Sequence, residues 1–315
     1  MASVRTVRPT DLVALVAYDG KVYPNEAVTR DRMGTDASPH PLETALEQWF
    51  SFASGRHTWI SVKGATLRGL VSARRRGSNA AWEVDCLIDA AEDDPNVLLS
   101  LLDRLAADAG RAGAEKVFLR VPQGSSAAET ARRSGFVPYL TERLLVRANE
   151  SGEVAAGSVP LRRWARADAY PTFQLYNRWA PASVRQVEAA TFREWGAARE
   201  RLSPPRLTRR WVVEREGQVA GWLRTAADDD VGRFDLLADP AAPELLDAMS
   251  DAACARLAGQ PVVLALVPEF AVGLGERLEA RGFCERHRFS VLARRVTRPV
   301  RMPQLVPAAQ AQVLA

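Results

Sequence analysis

The sequence predicts a mixed α/β fold built twice in tandem, each copy a mixed central sheet with helices on both faces. Three observations carry this expectation. One order of apolar segments recurs in register along the chain, within that order the apolar period switches between strand and helix spacing, and 315 residues leave room for two cores of ordinary size.

Each copy opens on a short strand, about 4–7 and 159–163, and continues into a helix start at Thr10-Asp11-Leu12 and at Arg166-Ala167-Asp168. Thr10 is placed to cap the first of these. A second helix is expected over about 41–52 and about 182–202. The best match between the copies follows: residues 59–69 and 211–221 each begin with Trp and end with Gly, and each reads as strand, Gly turn, strand. After polar breaks at 74–79 and 228–232, the apolar strands 82–88 and 234–238 run through acidic turns into amphipathic helices. Val97, Leu98, Leu101, Leu102 and Leu105 share one helical face, as do Leu245, Leu246, Met249, Ala253 and Leu257. A continuous apolar strand, 117–121 and 262–267, then leads to a short helix ending in Gly135-Phe136 and Gly282-Phe283, where glycine supplies the left-handed cap. A last strand is expected to close each copy, 140–146 and 289–296. An antiparallel meander followed by one helical crossover gives a mixed sheet. The expected division is an N-terminal domain at 1–148, a small polar linker at 149–158, a C-terminal domain at 159–298 and an extended tail at 299–315.

Composition narrows the function. The net charge is +4, and all but three of the 42 basic residues are arginine, the lysines being Lys21, Lys63 and Lys116. They are interspersed with 38 acids, a solvated surface and not a nucleic-acid stripe. No apolar run approaches the roughly 20 residues of a membrane span, and the N-terminus has no secretory apolar region. Cys86, Cys254 and Cys284 form no CxxC pair, and His40, His57 and His287 have no metal spacing, so no metal site is expected and a cytoplasmic setting fits. Neither nucleic acid nor membrane is an expected partner; a small-molecule amine or a protein is.

The element order, the opening Arg8-Pro9-Thr10-Asp11-Leu12, the Trp/Gly hairpins, Asp239-Pro240 and the two Gly-Phe ends resemble the GNAT superfamily of acyl-CoA N-acyltransferases, once per half. The resemblance implies direct acyl transfer from acetyl-CoA or another acyl-CoA to an amine. It also implies a loop Arg/Gln-x-x-Gly-x-Gly/Ala at the crossover helix, whose backbone N–H groups and helix dipole hold the pyrophosphate. Neither copy keeps that loop. In the first, Asn96, Val97 and Leu98 fill the cofactor-binding stretch, with Asn96 and Leu98 at the glycine positions and Asp93 where a basic or amide residue belongs. Asp89, Glu92 and Asp94 add negative charge. In the second, the matching stretch 237–249 is about three residues shorter and carries Asp239 and Glu244. The family's tyrosine in the last helix is replaced by Ala131 and Leu278, and its asparagine by Gly124 and Ala271.

Members often place a general base on the central strand, which here means Glu83 and Asp85 or Asp235, each equally able to serve as an arginine partner. Phe173, Tyr176 and Trp179 can share a helix face, as a substrate wall or as core, with Trp195 beside them. Two readings follow: an acyl-CoA-dependent N-acetyltransferase with an atypical loop, or a catalytically inactive pseudo-acetyltransferase that binds a small ligand or a protein without a cofactor. An open gap between the parallel strands favours the first. A gap plugged by Leu98, or by Leu245 and Leu246, favours the second.

Overall fold

The computed structural model describes residues 3–7, 11, 23–34, 56–64, 66–91, 94, 96–149, 159–202, 207–228 and 230–297. The Thr10 cap, the 41–52 helix, Glu92, Asp93, the linker after Asn149 and the tail at 299–315 lie outside the described residues.

The repeat appears as two equivalent runs of strands and helices. In the first, β1 (Ser3–Thr6) pairs with β2 (Arg56–Lys63), which turns into β3 (Thr66–Arg75) and then β4 (Ala81–Asp89). Helix α1 (Asn96–Arg111) crosses to β5 (Lys116–Pro122), and α2 (Ser126–Arg133) leads to β6 (Val137–Ala148). In the second run, β7 (Arg162–Arg163) precedes α3 (Ala169–Trp179), α4 (Ala182–Glu188) and α5 (Phe192–Ala198). Strands β8 (Thr208–Arg215), β9 (Gln218–Asp228) and β10 (Val231–Ala238) follow, then α6 (Glu244–Arg256), β11 (Val262–Pro268), α7 (Val272–Glu279) and β12 (Cys284–Arg295).

The local signals hold where they are chemical. Glu216 and Gly217 both have positive φ, 51° and 74°, as a two-residue hairpin turn requires. Gly135 and Gly282 adopt φ of 79° and 83° as C-cap glycines, and Phe136 and Phe283 are buried behind them. The expected helix over about 182–202 is instead two short helices, because Thr191 starts a new one: its hydroxyl accepts the Glu194 N–H at 3.2 Å.

All twelve strands form one sheet, in the order β1-β2-β3-β4-β5-β12-β6-β11-β10-β9-β8-β7. Among the described residues only β4–β5 and β10–β11 pair in parallel. This order corrects the expectation that each closing strand completes its own copy. Strand β6 pairs with β11 of the second run, from Ala148 against Val262 to Glu142 against Pro268. Strand β12 inserts between β5 and β6, with Phe289 opposite Pro122 and Arg295 opposite Lys116. Leu145 of β6 therefore sits in the core under α6, and Leu292 of β12 in the core under α1. The exchange satisfies the inner edges that two separate sheets would leave unpaired. Among the described residues no helix is long and apolar enough to cross a membrane.

Candidate functional site

A parallel pair joined by a crossover helix can splay, and both pairs here do. Strands β4 and β5 pair only from Ala81–Lys116 to Glu83–Phe118, and β10 and β11 only from Val231–Val262 to Phe234–Ala265. Beyond those points the strands separate, and backbone groups on their facing edges need other partners.

In the N-terminal half the chain itself supplies them. The segment 23–34 runs through the gap as a strap. The Asn25 side chain accepts the Leu87 N–H at 2.8 Å and donates to the Asp85 carbonyl at 3.2 Å. The Glu26 N–H donates to the Leu87 carbonyl at 2.8 Å, and the Val28 N–H to the Arg120 carbonyl at 2.9 Å, so both lips of the splay are bridged. Leu98 is not the plug; it packs in the core under α1 with Val97. Removing the Asn25 amide strands the buried Leu87 N–H. Asn25→Ala is expected to cost about 2 kcal/mol, a fall in melting temperature of roughly 3 °C readable by circular dichroism. An unchanged melt would show that the strap does not depend on this residue.

In the C-terminal half the splay is open. It leads into a cavity of ≈ 150 Å³ bounded by Leu236 and Leu237 on β10, by Leu266 and Val267 on β11, and by Tyr176, Trp179, Trp195, Trp222 and Phe270. Leu245 and Leu246 do not line it. Tyr176 and Trp179 thus face the cavity, while Phe173 packs away from it against Tyr170, Phe192 and Trp195.

The three central-strand carboxylates are all held by guanidinium groups. Glu83 accepts from Arg74 Nε at 2.8 Å and lies 3.3 Å from Arg76 Nε. Asp85 is 1% exposed, with Arg56 Nη2 2.7 Å away, and neither reaches the open cavity. Asp235 does reach it, bound by Arg30 Nη1 at 2.6 Å and Arg224 Nε at 2.8 Å. Burial alone would raise the Asp235 pKa, but Arg224 and Arg30 outweigh it and hold the carboxyl below its ordinary range. Asp235 is therefore a weak proton acceptor.

Arg30 belongs to a larger ionic cluster where the two halves meet. Glu142 on β6 accepts from Arg30 at 2.5 Å and Arg120 at 2.7 Å. Glu200, just past α5, accepts from Arg76 at 2.7 Å and Arg120 at 2.8 Å and is paired with Arg30 as well. The strap, the residue just past β3, β5, β6 and the C-terminal half are thereby tied together.

One cavity carboxyl is different. Glu188, the last residue of α4, has no arginine bound to its side chain among the described residues and accepts the Tyr176 hydroxyl at 2.7 Å. Burial raises its pKa above the ordinary carboxyl range, with Glu200 and Glu142 adding to the rise and Tyr176 and Arg76 opposing it. A carboxyl tuned upward in a mostly apolar cavity is chemically suited to take a proton from an ammonium. Sequence inspection missed it because it sits at a helix end far from the central strand. Its position three residues ahead of Thr191, where the helix breaks, is the only local signal.

Three solved structures share this architecture across nearly the whole chain. A GCN5-related N-acetyltransferase from Sphaerobacter thermophilus is 15% identical with a TM-score of 0.50, covering 96% of this chain and 98% of its own. A putative acetyltransferase from Pyrococcus horikoshii is 12% identical with a TM-score of 0.51, covering 94% and 90%. Saccharomyces cerevisiae N-myristoyltransferase, solved with myristoyl-CoA bound, is 14% identical with a TM-score of 0.50, covering 94% and 79%. The chain has the GNAT fold, in tandem. No family model matches the sequence, and no curated protein does.

Against a GNAT phosphate-binding helix start, both crossover helices are altered. The Asn96 N–H at the start of α1 donates to the Asp94 carboxylate at 3.1 Å, so a carboxylate of the chain already occupies an anion's place. Asn96 is exposed, and Val97 and Leu98 point into the core. At α6 the Ala241 N–H donates to Asp239 at 3.0 Å, and Glu244 in the first turn is paired with Arg215. Among the described residues, N–H groups at both helix starts already have partners in the chain: Val97 donates to the Asp94 carbonyl at 3.1 Å, and Leu245 and Leu246 donate to the Ala242 and Pro243 carbonyls at 3.0 and 3.1 Å. The splay of the C-terminal half, by contrast, is lined by the apolar side chains of Leu236, Leu237, Leu266 and Val267.

Proposed function

We propose that the C-terminal half is the working half and carries acyl transfer from a thioester to a small-molecule amine, with the N-terminal half as its structural partner. The observation that carries this reading is the contrast between the two splays: one is filled by the strap at 25–28, the other opens on an apolar cavity with Glu188 at its wall. An acyl-CoA or shorter acyl thioester would supply the electrophilic carbonyl there. The chain's own contribution is to line the acyl arm with Leu237, Leu266 and Val267, to exclude water with the tryptophans, and to accept the amine's proton at the Glu188 carboxylate. The C–N bond forms and the C–S bond breaks; of the two protons the ammonium gives up, one goes to Glu188 before attack and the other, released as the tetrahedral centre collapses, goes to the leaving thiolate. Three free cysteines, two of them buried, fit a reducing cytoplasm.

A second reading is favoured by Asp239 and Glu244 at α6: the same cavity serves as a ligand-binding module without CoA. Calorimetry with acetyl-CoA and with its acetyl-pantetheine fragment separates the two. The first reading expects both to bind, the fragment within about threefold of the whole cofactor, because the diphosphate has no seat on the helix. Absence of binding by either at millimolar concentration would leave the binding module.

A further inference from the structure

We propose that a second pocket, against the open cavity, binds a planar ring carrying an oxyanion. The pocket, ≈ 200 Å³, is walled by three tryptophans and by arginines Arg199, Arg210 and Arg224. Each of these arginines stacks over a different tryptophan: Arg199 over Trp195 at 5.4 Å, Arg210 over Trp164 at 5.3 Å and Arg224 over Trp222 at 5.6 Å from the ring centroid. A guanidinium held by its face keeps its N–H donors in plane, ready for a carboxylate or phosphate.

The charge arrangement needs an explanation that folding does not supply. Arg210 on β8 lies directly opposite Arg224 on β9, and like charges facing across strands are destabilising. Asp235, opposite Arg224 on the other side, pairs with Arg224 and Arg30 and not with Arg210. Arg199 and Arg210 make no ion pair with any described residue. The carboxylate that does line the pocket, Glu200, is already bound by Arg30, Arg76 and Arg120. Burial lowers the pKa of both Arg199 and Arg210; the Arg224 charge adds to the fall at Arg199, and the Arg199 charge, then that of Arg224, adds to it at Arg210. Two unneutralised guanidinium groups between aromatic rings form a binding site for an anion with a π-face, and the shared wall at Trp195, Trp222 and Arg224 lets that ligand reach the open cavity.

Tryptophan-fluorescence titration of the full chain with indole-3-acetate, indole-3-acetamide, adenosine 5′-monophosphate and inorganic phosphate tests this. The acid should bind roughly tenfold more tightly than the neutral amide, and should weaken as salt rises. Tighter binding of the nucleotide than of indole-3-acetate would assign the oxyanion as phosphate and support the site equally. Arg199→Ala and Arg210→Ala should each weaken binding about tenfold while leaving the melting temperature equal to or above that of the parent, since each relieves repulsion. Equal binding of acid and amide, inorganic phosphate binding as tightly as either ring compound, or affinity untouched in both variants would overturn the proposal. So would the absence of any saturable response to the ring acids at about 10 mM. None of these outcomes depends on acyl transfer.

Discussion

Replacing Glu200 by glutamine is expected to lower the melting temperature at pH 7 by roughly 6 °C. Glu200 is enclosed by Arg30, Arg76 and Arg120, and its loss leaves those guanidinium groups short of a counter-charge while still buried. Breaking a buried pair by deleting one partner costs about 3–5 kcal/mol, because the remaining charge stays desolvated. The damage also crosses the join, since Arg30 comes from the strap, Arg76 from the residue just past β3 and Arg120 from β5. The pH dependence has a definite sign. Burial by itself would raise the Glu200 pKa, but Arg120, Arg76 and Arg30 hold it well below the ordinary carboxyl value of 4.5. The stabilisation is therefore complete above pH 4.5 and is lost as pH falls from there toward the folded-state pKa. Parent and Glu200→Gln should differ most at pH 7 and converge in acid. Urea melts at pH 7 and pH 3 would contradict the cluster's role if the two proteins were equally stable at pH 7.

How much of this was legible beforehand follows from which interactions are local. The hairpin ending at Gly221, the amphipathic face of α1 and the two Gly-Phe caps are specified by neighbours in sequence, and the structure places them as the sequence implied. The exchange of β6 and β12 was not legible. An apolar strand such as Val262–Pro268 presents the same period to either partner, and pairing with Leu144 or Leu292 is decided by the other half of the molecule. The arginine partners of Glu83, Asp85 and Asp235 could be guessed as a class but not as pairs, because Arg30 meets Asp235 across 205 positions. Glu188 was invisible for the same reason. Its chemistry arises from the cavity that Trp179, Phe270 and Leu266 build around it, and none of these lies within its own helix. The strap was hidden more thoroughly. Nothing in Asn25-Glu26-Ala27-Val28 reads as a strand, yet its amide and backbone meet both lips of a gap that exists only once β4 and β5 have diverged.

Glu188→Gln should separate function from stability more cleanly than any other substitution. Glutamine keeps the shape and an oxygen that accepts the Tyr176 hydroxyl, which donates at 2.7 Å in the parent. It cannot take a proton from an ammonium. If the carboxylate is the proton acceptor, kcat/KM for amine acylation falls about 10²-fold, with the donor's binding unchanged. Stability should move the other way. Burial raises the folded-state pKa of Glu188 above 4.5, so the fold prefers the neutral acid. That preference stabilises fully below pH 4.5 and is lost as pH rises through the folded-state value, beyond which a charge must be kept in an apolar cavity. Glutamine is neutral throughout, so the variant should match the parent near pH 4 and exceed it in melting temperature at pH 8. A variant that gains stability at pH 8 while retaining full transferase activity would remove Glu188 from the chemistry and leave it as a strained cavity carboxyl. If the gain disappears as well, the apolar character of the cavity itself is refuted, because a solvated carboxylate loses nothing by ionising.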